Sequence, residues 1–319
     1  MRSPAIFSWA AARRTLLVLT LAAGLAAVPR SPAQSPQSSP SSTQAQTAQA
    51  QTTGVQPPNQ IQDQAGIWNV KPDISGKRNG VFPEPEAFDF ADHAGYVSLF
   101  DGKTLNGWDG RPGVWSVDDG AIVGVSTKDK VAGNTFLVYR GITAKDFDLK
   151  LEIKVEWGGG SGVQYRSSTG IPPGRVAGKG EPPLDPRWVM IGPQADSWYP
   201  VSENAKQYSG QLYSQNTSLG IVAWRGQVVE SEPGKPPRLV GTIGDRAQLG
   251  TYVKDGEWNQ YTIIARGGVI LHILNGRLMA VLVDDDPNST SNVSGLFGLQ
   301  IEGTPCKVSF RDLWLRKID

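Results

Sequence analysis

The chain has 319 residues, 39% of them hydrophobic, and its 31 lysines and arginines nearly balance 30 aspartates and glutamates for a net charge of +1. With no basic run, that balance argues against nucleic acid as a partner. One cysteine and two histidines leave no intrachain disulfide and no His- or Cys-rich zinc site of the usual kind, so stability has to come from a core.

The first 33 residues have the make-up of a secretory signal peptide. Arg2, Arg13 and Arg14 form a positive head, and the apolar run 16–28 is too short for a bilayer span. Ser31-Pro32-Ala33 offers the small residues that a signal peptidase reads. The expected location is therefore secreted or periplasmic, with no membrane segment after cleavage. Residues 34–60 are mostly Ser, Gln, Pro, Thr and Ala and cannot bury enough surface to offset ordering entropy, which predicts a disordered linker. Residues 61–94, with Pro72, Pro83 and Pro85, are expected to form an irregular N-terminal arm. Residues 95–319 suffice for one large β domain.

Glycine and proline punctuate short alternating runs along that domain, and no helical period persists. A strand is expected over Tyr96–Phe100, then a hairpin turning at Asp119-Gly120, then a strand over Phe136–Arg140. From Leu149 to Val155 apolar residues alternate with Lys150, Glu152 and Lys154, a period of two that predicts a half-buried strand. Three glycines follow Trp157, and a second strand alternates Val163 and Tyr165 with Gln164 and Arg166. An antiparallel pairing of these two strands would put Glu152, Lys154, Gln164 and Arg166 on one polar face. A Gly/Pro loop (170–186) leads to strands over Trp188–Asp196, Tyr208–Tyr213 and Leu219–Val229. Further strands over Trp258–Ala265 and Val269–Leu274 meet at Gly267-Gly268, and Asn275-Gly276 turns into Leu278–Val283. Gly295–Glu302 and Lys307–Lys317 complete the set. A dozen or so strands without a fixed repeat point to a β-sandwich rather than a propeller.

Several stretches recur together in a fixed order: Leu99-Phe-Asp-Gly-Lys-Thr-Leu-Asn-Gly-Trp108, Trp115-Ser-Val-Asp-Asp-Gly-Ala-Ile, Asp146-Phe-Asp-Leu-Lys-Leu-Glu and Ser161-Gly-Val-Gln-Tyr-Arg166. Gly256-Glu-Trp-Asn, Leu274-Asn-Gly, Gly298-Leu-Gln and Val308-Ser-Phe-Arg-Asp-Leu follow. As an ordered set over Tyr96–Ile318 they resemble the 3-keto-disaccharide hydrolase family. The resemblance implies a concanavalin A-like jelly-roll β-sandwich, export, and action on oxidised glycosides. One strand departs from the pattern. Where many members carry a Tyr-Glu-x-Gln-type strand, this chain has Met190-Ile-Gly-Pro-Gln-Ala-Asp196.

Gln164 and Arg166, Gln194 and Asp196, and Gln300 and Glu302 share one design, two polar residues at spacing two in an apolar strand. Side by side, three such strands would line a groove, although the same residues could be ordinary outward positions. A ketone at carbon 3 of a sugar acidifies the hydrogen at carbon 2, and the resulting enolate can expel the glycosidic oxygen at carbon 1. Such a site needs a base, a cation for the oxyanion and an acid for the leaving group. Asp196 is the candidate base, Arg166 the oxyanion stabiliser and Glu302 the acid, with Glu152 in reserve for either carboxylate role. Plain two-carboxylate glycoside hydrolysis is the competing mechanism. Gln164, Gln194, Gln300, Tyr213 and Trp157 are the candidate substrate-binding residues. No cofactor is expected, save that Asp284-Asp285-Asp286 could hold calcium through oxygen ligands or simply form a solvated loop. The expected partner is a carbohydrate or glycoside. A non-catalytic carbohydrate-binding module is the alternative function.

Overall fold

The computed structural model describes residues 88–318. The expected signal peptide, the linker and most of the arm lie outside the described residues. Within them the chain runs through β1 (Val97–Ser98), β2 (Trp108–Gly110), β3 (Trp115–Asp118), β4 (Ala121–Ser126), β5 (Thr135–Ala144) and β6 (Phe147–Trp157). Then come β7 (Gly160–Thr169), β8 (Met190–Trp198), β9 (Leu212–Gln215), β10 (Gly220–Ala223), β11 (Gln227–Ser231) and β12 (Arg238–Thr242). A single-turn helix, Arg246–Gly250, precedes β13 (Asn259–Arg266), β14 (Val269–Leu274), β15 (Arg277–Asp284), β16 (Gly295–Ile301) and β17 (Cys306–Lys317).

Two sheets face each other. The ten-stranded sheet runs β12-β11-β15-β14-β13-β6-β17-β4-β3, with β1 on β17, and the seven-stranded sheet runs β10-β9-β8-β7-β16-β5-β2. Inward residues of both, among them Leu149, Leu151, Ile153, Val163, Tyr165, Tyr261, Phe297, Leu299 and Phe310, form one buried core. This is the expected jelly-roll β-sandwich. All ladders are antiparallel except β11 on β15, a parallel pair that alternation alone does not reveal. The hairpin turns lie at the expected dipeptides: Asp119 and Gly120 both have positive φ, as do Asn275 and Gly276. β2, β12 and the short helix were not expected, and Tyr208 lies before β9 rather than within a strand.

One expectation fails outright. β6 and β7 do not pair: β6 lies between β13 and β17, and β7 between β8 and β16 in the other sheet. The glycines after Trp157 carry the chain across the sandwich instead of turning a hairpin. Gly158 and Gly159 have φ of 59° and 56°, and a Cβ on either would lie about 2 Å from the carbonyl oxygen of Pro305 or Glu302. Only glycine fits so close a crossing. Glu152 and Gln164 therefore belong to different sheets.

Cys306 is fully buried and unpaired. The described part of the arm packs on the ten-stranded sheet, where the buried Lys150 ammonium donates to the carbonyls of Asp89 and Asp92 beneath the rings of Phe88 and Tyr96. Among the described residues no helix is long and apolar enough to cross a membrane.

Candidate active site

β8, β7 and β16 are neighbours, so the strands with paired polar residues do lie side by side. Their amides form one hydrogen-bonded row on the face away from the core. Gln164 Nε2 donates to Gln194 Oε1 (2.6 Å), and Gln194 Nε2 donates to both Asp196 Oδ1 (2.8 Å) and Gln300 Oε1 (2.5 Å). Gln300 Nε2 donates onward to Asn134 Oδ1 and Glu302 Oε2, both at 3.1 Å. Gln164 Oε1 accepts from Ser167 Oγ. Gln164, Gln194 and Gln300 are each at most 1% exposed, so this face is not a solvated surface. Buried amides are tolerable only when paired, and here their donors lead step by step to two carboxylates.

Small residues make room for the row. A Cβ at Gly162 would sit 2.3 Å from Gln194 Nε2, and one at Gly160 would strike the Trp198 indole at 2.4 Å. Gly162→Ala is therefore expected to push Gln194 out of register and break its bonds to Asp196 and Gln300. Turnover should fall at least tenfold with the fold retained. Wild-type turnover in that variant, measured beside a thermal melt, would show the row to be dispensable.

Asp196 lines a cleft of about 410 Å³ whose walls also include Asn134, Arg175, Gln194, Trp198, Tyr208, Gln211, Tyr213, Gln215 and Glu302. It is 4% exposed, and its second oxygen accepts from Gln211 Nε2 (2.6 Å). Burial lifts its pKa to about 8 against the pull of the Gln211 and Gln194 amides, and the Glu302 charge adds to the rise. Glu302 is raised as well, chiefly by burial, with Arg175 opposing. Gln211 Oε1 is buried without a partner, so a half-turn of that amide offers an acceptor whenever Asp196 carries its proton.

The core side holds this strand segment still. Tyr261 Oη donates to the Asp196 carbonyl (3.3 Å). His272 Nδ1 lies 3.1 Å from the Gln211 carbonyl, which can only accept, so Nδ1 carries the ring hydrogen and Nε2 accepts from Tyr165 Oη at 2.7 Å. Full burial depresses this histidine to about 3, which keeps it neutral.

The candidates named from sequence divide cleanly. Asp196, Glu302, Gln194 and Tyr213 line the cleft, and Gln164 and Gln300 support it through the amide row. Arg166 does not reach it. The β7 ladder shifts register between Gln164 and Ser168, and Arg166 has φ +48° there. Its buried guanidinium donates to the carbonyls of Lys145 and Ser291 and to Asp146 Oδ1. Glu152, on the other sheet, accepts from Arg311 Nε at 2.6 Å. Trp157 ends β6 and is not among the lining residues. In the triple aspartate, Asp284 is buried and accepts from Ser289 Oγ and from the backbone of Asp286. Among the described residues no three His, Cys, Asp or Glu side chains converge on one point.

Gln211, Gln215, Asn134, Tyr208 and Arg175 were missed. Gln211, Tyr213 and Gln215 repeat the spacing-two polar pattern, so both glutamines were discoverable. Asn134 and Arg175 lie in loops, where no period marks them.

This arrangement can be set against known proteins. The model of a family described as a 3-keto-alpha-glucoside-1,2-lyase-like domain matches residues 95–316. The chain belongs to this family. A 3-keto-disaccharide hydrolase of Bacteroides thetaiotaomicron is 26% identical over 194 residues, 57% of this chain and 56% of that protein. The chain thus spans about half the length of that curated relative. Among solved structures, a Parabacteroides distasonis protein provisionally named a glycosyl hydrolase is 21% identical with a TM-score of 0.40, over 71% of this chain and 95% of that one. A Bacillus subtilis protein of unknown function with a galectin-like fold has a TM-score of 0.44 at 11% identity, over 67% and 90%. Membership of the lyase-like family agrees with the resemblance read from the ordered motifs, which covers the same stretch of chain.

Proposed function

We propose that this protein is an exported enzyme that cleaves the glycosidic bond of 3-keto-glycosides by elimination followed by hydration. The observation that carries the reading is Asp196, a buried carboxylate held by the amides of Gln194 and Gln211 in a cleft shared with Glu302, where burial lifts its pKa to about 8. Catalysis is most efficient when the base titrates close to the working pH. Asp196 is assigned as that base, taking the hydrogen from carbon 2. Removal of that hydrogen sets the rate, and Glu302, which shares the cleft, then passes a proton to the departing glycosidic oxygen. Water then adds across the carbon 1–carbon 2 double bond and completes a net hydrolysis. Tyr213 and the amide of Gln211 offer hydrogen bonds to sugar hydroxyls.

The test is release of aglycone from a 3-keto-glucoside and from its unmodified counterpart across pH. The expected result is release from the keto substrate only, with a rate that climbs as pH rises towards about 8, where the base loses its proton. A rate that instead falls through that range would make Asp196 the acid and exchange the two roles. Equal release from both substrates would point to plain two-carboxylate hydrolysis. Sugar binding without any release would favour the binding-module reading.

A further inference from the structure

The reaction puts negative charge on the oxygen at carbon 3, and the arginine expected from sequence to meet it is turned away from the cleft. We propose that Arg175, on the loop between β7 and β8, is the catalytic residue that binds this enolate oxygen; the assignment rests on the keto-glycoside reading above.

Arg175 is the one cation among the residues lining the cleft. Its presentation follows from local sequence. Pro172-Pro173-Gly174-Arg175 closes a turn with Arg175 N donating to the Pro172 carbonyl at 3.1 Å, and Gly174 has φ +80°. Proline then glycine with positive φ at the two central positions is a type II turn, which fixes where the arginine leaves the loop. The same loop is tied down where Arg111 donates to the Pro183 carbonyl (2.7 Å) and where Glu181 accepts from Gly178 N (3.0 Å).

Among the described residues the Arg175 side chain makes no hydrogen bond and no ion pair, and its Nε is shielded from solvent without an acceptor. Arg166 contrasts with it, since three of its donors are taken by structural acceptors. A guanidinium on the wall of a cleft with two carboxylates, and bonded to neither, is free for an oxygen that appears only with substrate. The charge does reach the site, opposing the rise that burial imposes on both Glu302 and Tyr213.

Asp196 takes the hydrogen from carbon 2, the C–H pair becomes the carbon 2–carbon 3 double bond, and the carbonyl pair moves onto oxygen 3, where Arg175 donates. When that pair returns to re-form the ketone, the double bond shifts to carbons 1 and 2. The glycosidic C–O bond then breaks with its pair on the leaving oxygen, which takes the Glu302 proton. Arg175 stabilises charge that the bound ketone does not carry, so its effect belongs in kcat more than in KM.

The experiment compares full-length wild type, Arg175→Gln and Arg175→Lys on a 3-keto-glucoside, with pH profiles and melts. Arg175→Gln should lower kcat by about a hundredfold to a thousandfold, with KM changed only a few-fold and the melt unshifted, because the side chain has no partner to lose. Arg175→Lys should recover part of the loss. The groups acting on or sensing Glu302 are Arg175, Glu181, Asp196, Tyr213 and Cys306. Removing the one cation of that group should move the limb of the profile that reports Glu302 to higher pH. Wild-type kcat in Arg175→Gln, with Asp196→Asn inactive, would overturn the role of Arg175 and leave the keto-glycoside reading standing. An inactive wild type on all 3-keto-glycosides would overturn both together.

Discussion

Asp196→Asn is expected to reduce turnover of a 3-keto-glucoside by about a hundredfold to ten-thousandfold, the usual contribution of a positioned general base. The substitution is nearly isosteric, so the strand and the core beneath it should keep their packing. Both Asp196 oxygens accept from amide donors, and an asparagine turns one of those positions into a donor. Gln211 can answer by turning its unpartnered Oε1 towards the new amide. A second measurement separates the proton from the shape. The folded pKa of about 8 lies above the ordinary 3.8, so between these values the folded protein holds a proton that the unfolded chain has released. This stabilising contribution is complete below about pH 4 and is lost as pH rises through about 8. The wild-type melting temperature should therefore decline over that window, and Asp196→Asn should flatten the decline. Full turnover in the variant would remove Asp196 from the chemistry. An unchanged slope would show that its carboxyl is not the buried group that holds the proton.

Arg166→Ala should behave in the opposite way, costing stability before chemistry. The substitution strips the donors from the carbonyls of Lys145 and Ser291, two acceptors left in a poorly hydrated place. An unsatisfied buried polar group costs about 1–3 kcal/mol. The ion pair with Asp146 adds little, because that carboxylate is 35% exposed and screened by solvent. A total of about 3 kcal/mol corresponds to a drop of about 6–12 °C in melting temperature for a domain of this size. Protein that remains folded should turn over substrate within a few-fold of wild type. A collapse of kcat with an unshifted melt would return Arg166 to the reaction and displace Arg175.

The two arginines show why one was misread and the other missed. Arg166 stands two residues after Gln164, and in a regular strand that spacing puts both side chains on one face. The bulge between Gln164 and Ser168 breaks the period, and no residue type in Tyr165-Arg166-Ser167 announces it. Arg175 lies in a loop without period, and its access to the cleft depends on where a distant strand runs. Local sequence could specify the Pro173-Gly174 turn but not what that turn overlooks.

By itself the sequence determined what rests on neighbours along the chain. It specified the strands from Leu149 to Val155 and over Gly295–Glu302, the hairpin turns at Asp119-Gly120 and Asn275-Gly276, and the presence of paired polar residues around Gln164, Gln194 and Gln300. Alternation and positive-φ dipeptides act over a few residues, and they were read from those residues alone. The tertiary structure decided which sheet each strand joined. Gly158 to Gly160 could have closed a hairpin, yet close approach to the carbonyls of Pro305 and Glu302 sends β7 into the other sheet. That one crossing parts Glu152 from Gln164, makes β8, β7 and β16 neighbours, and joins three separate glutamines into one buried row ending at Asp196 and Glu302. The raised pKa of Asp196 follows from the same event, because desolvation comes from strands that are remote in sequence and packed together only in the fold.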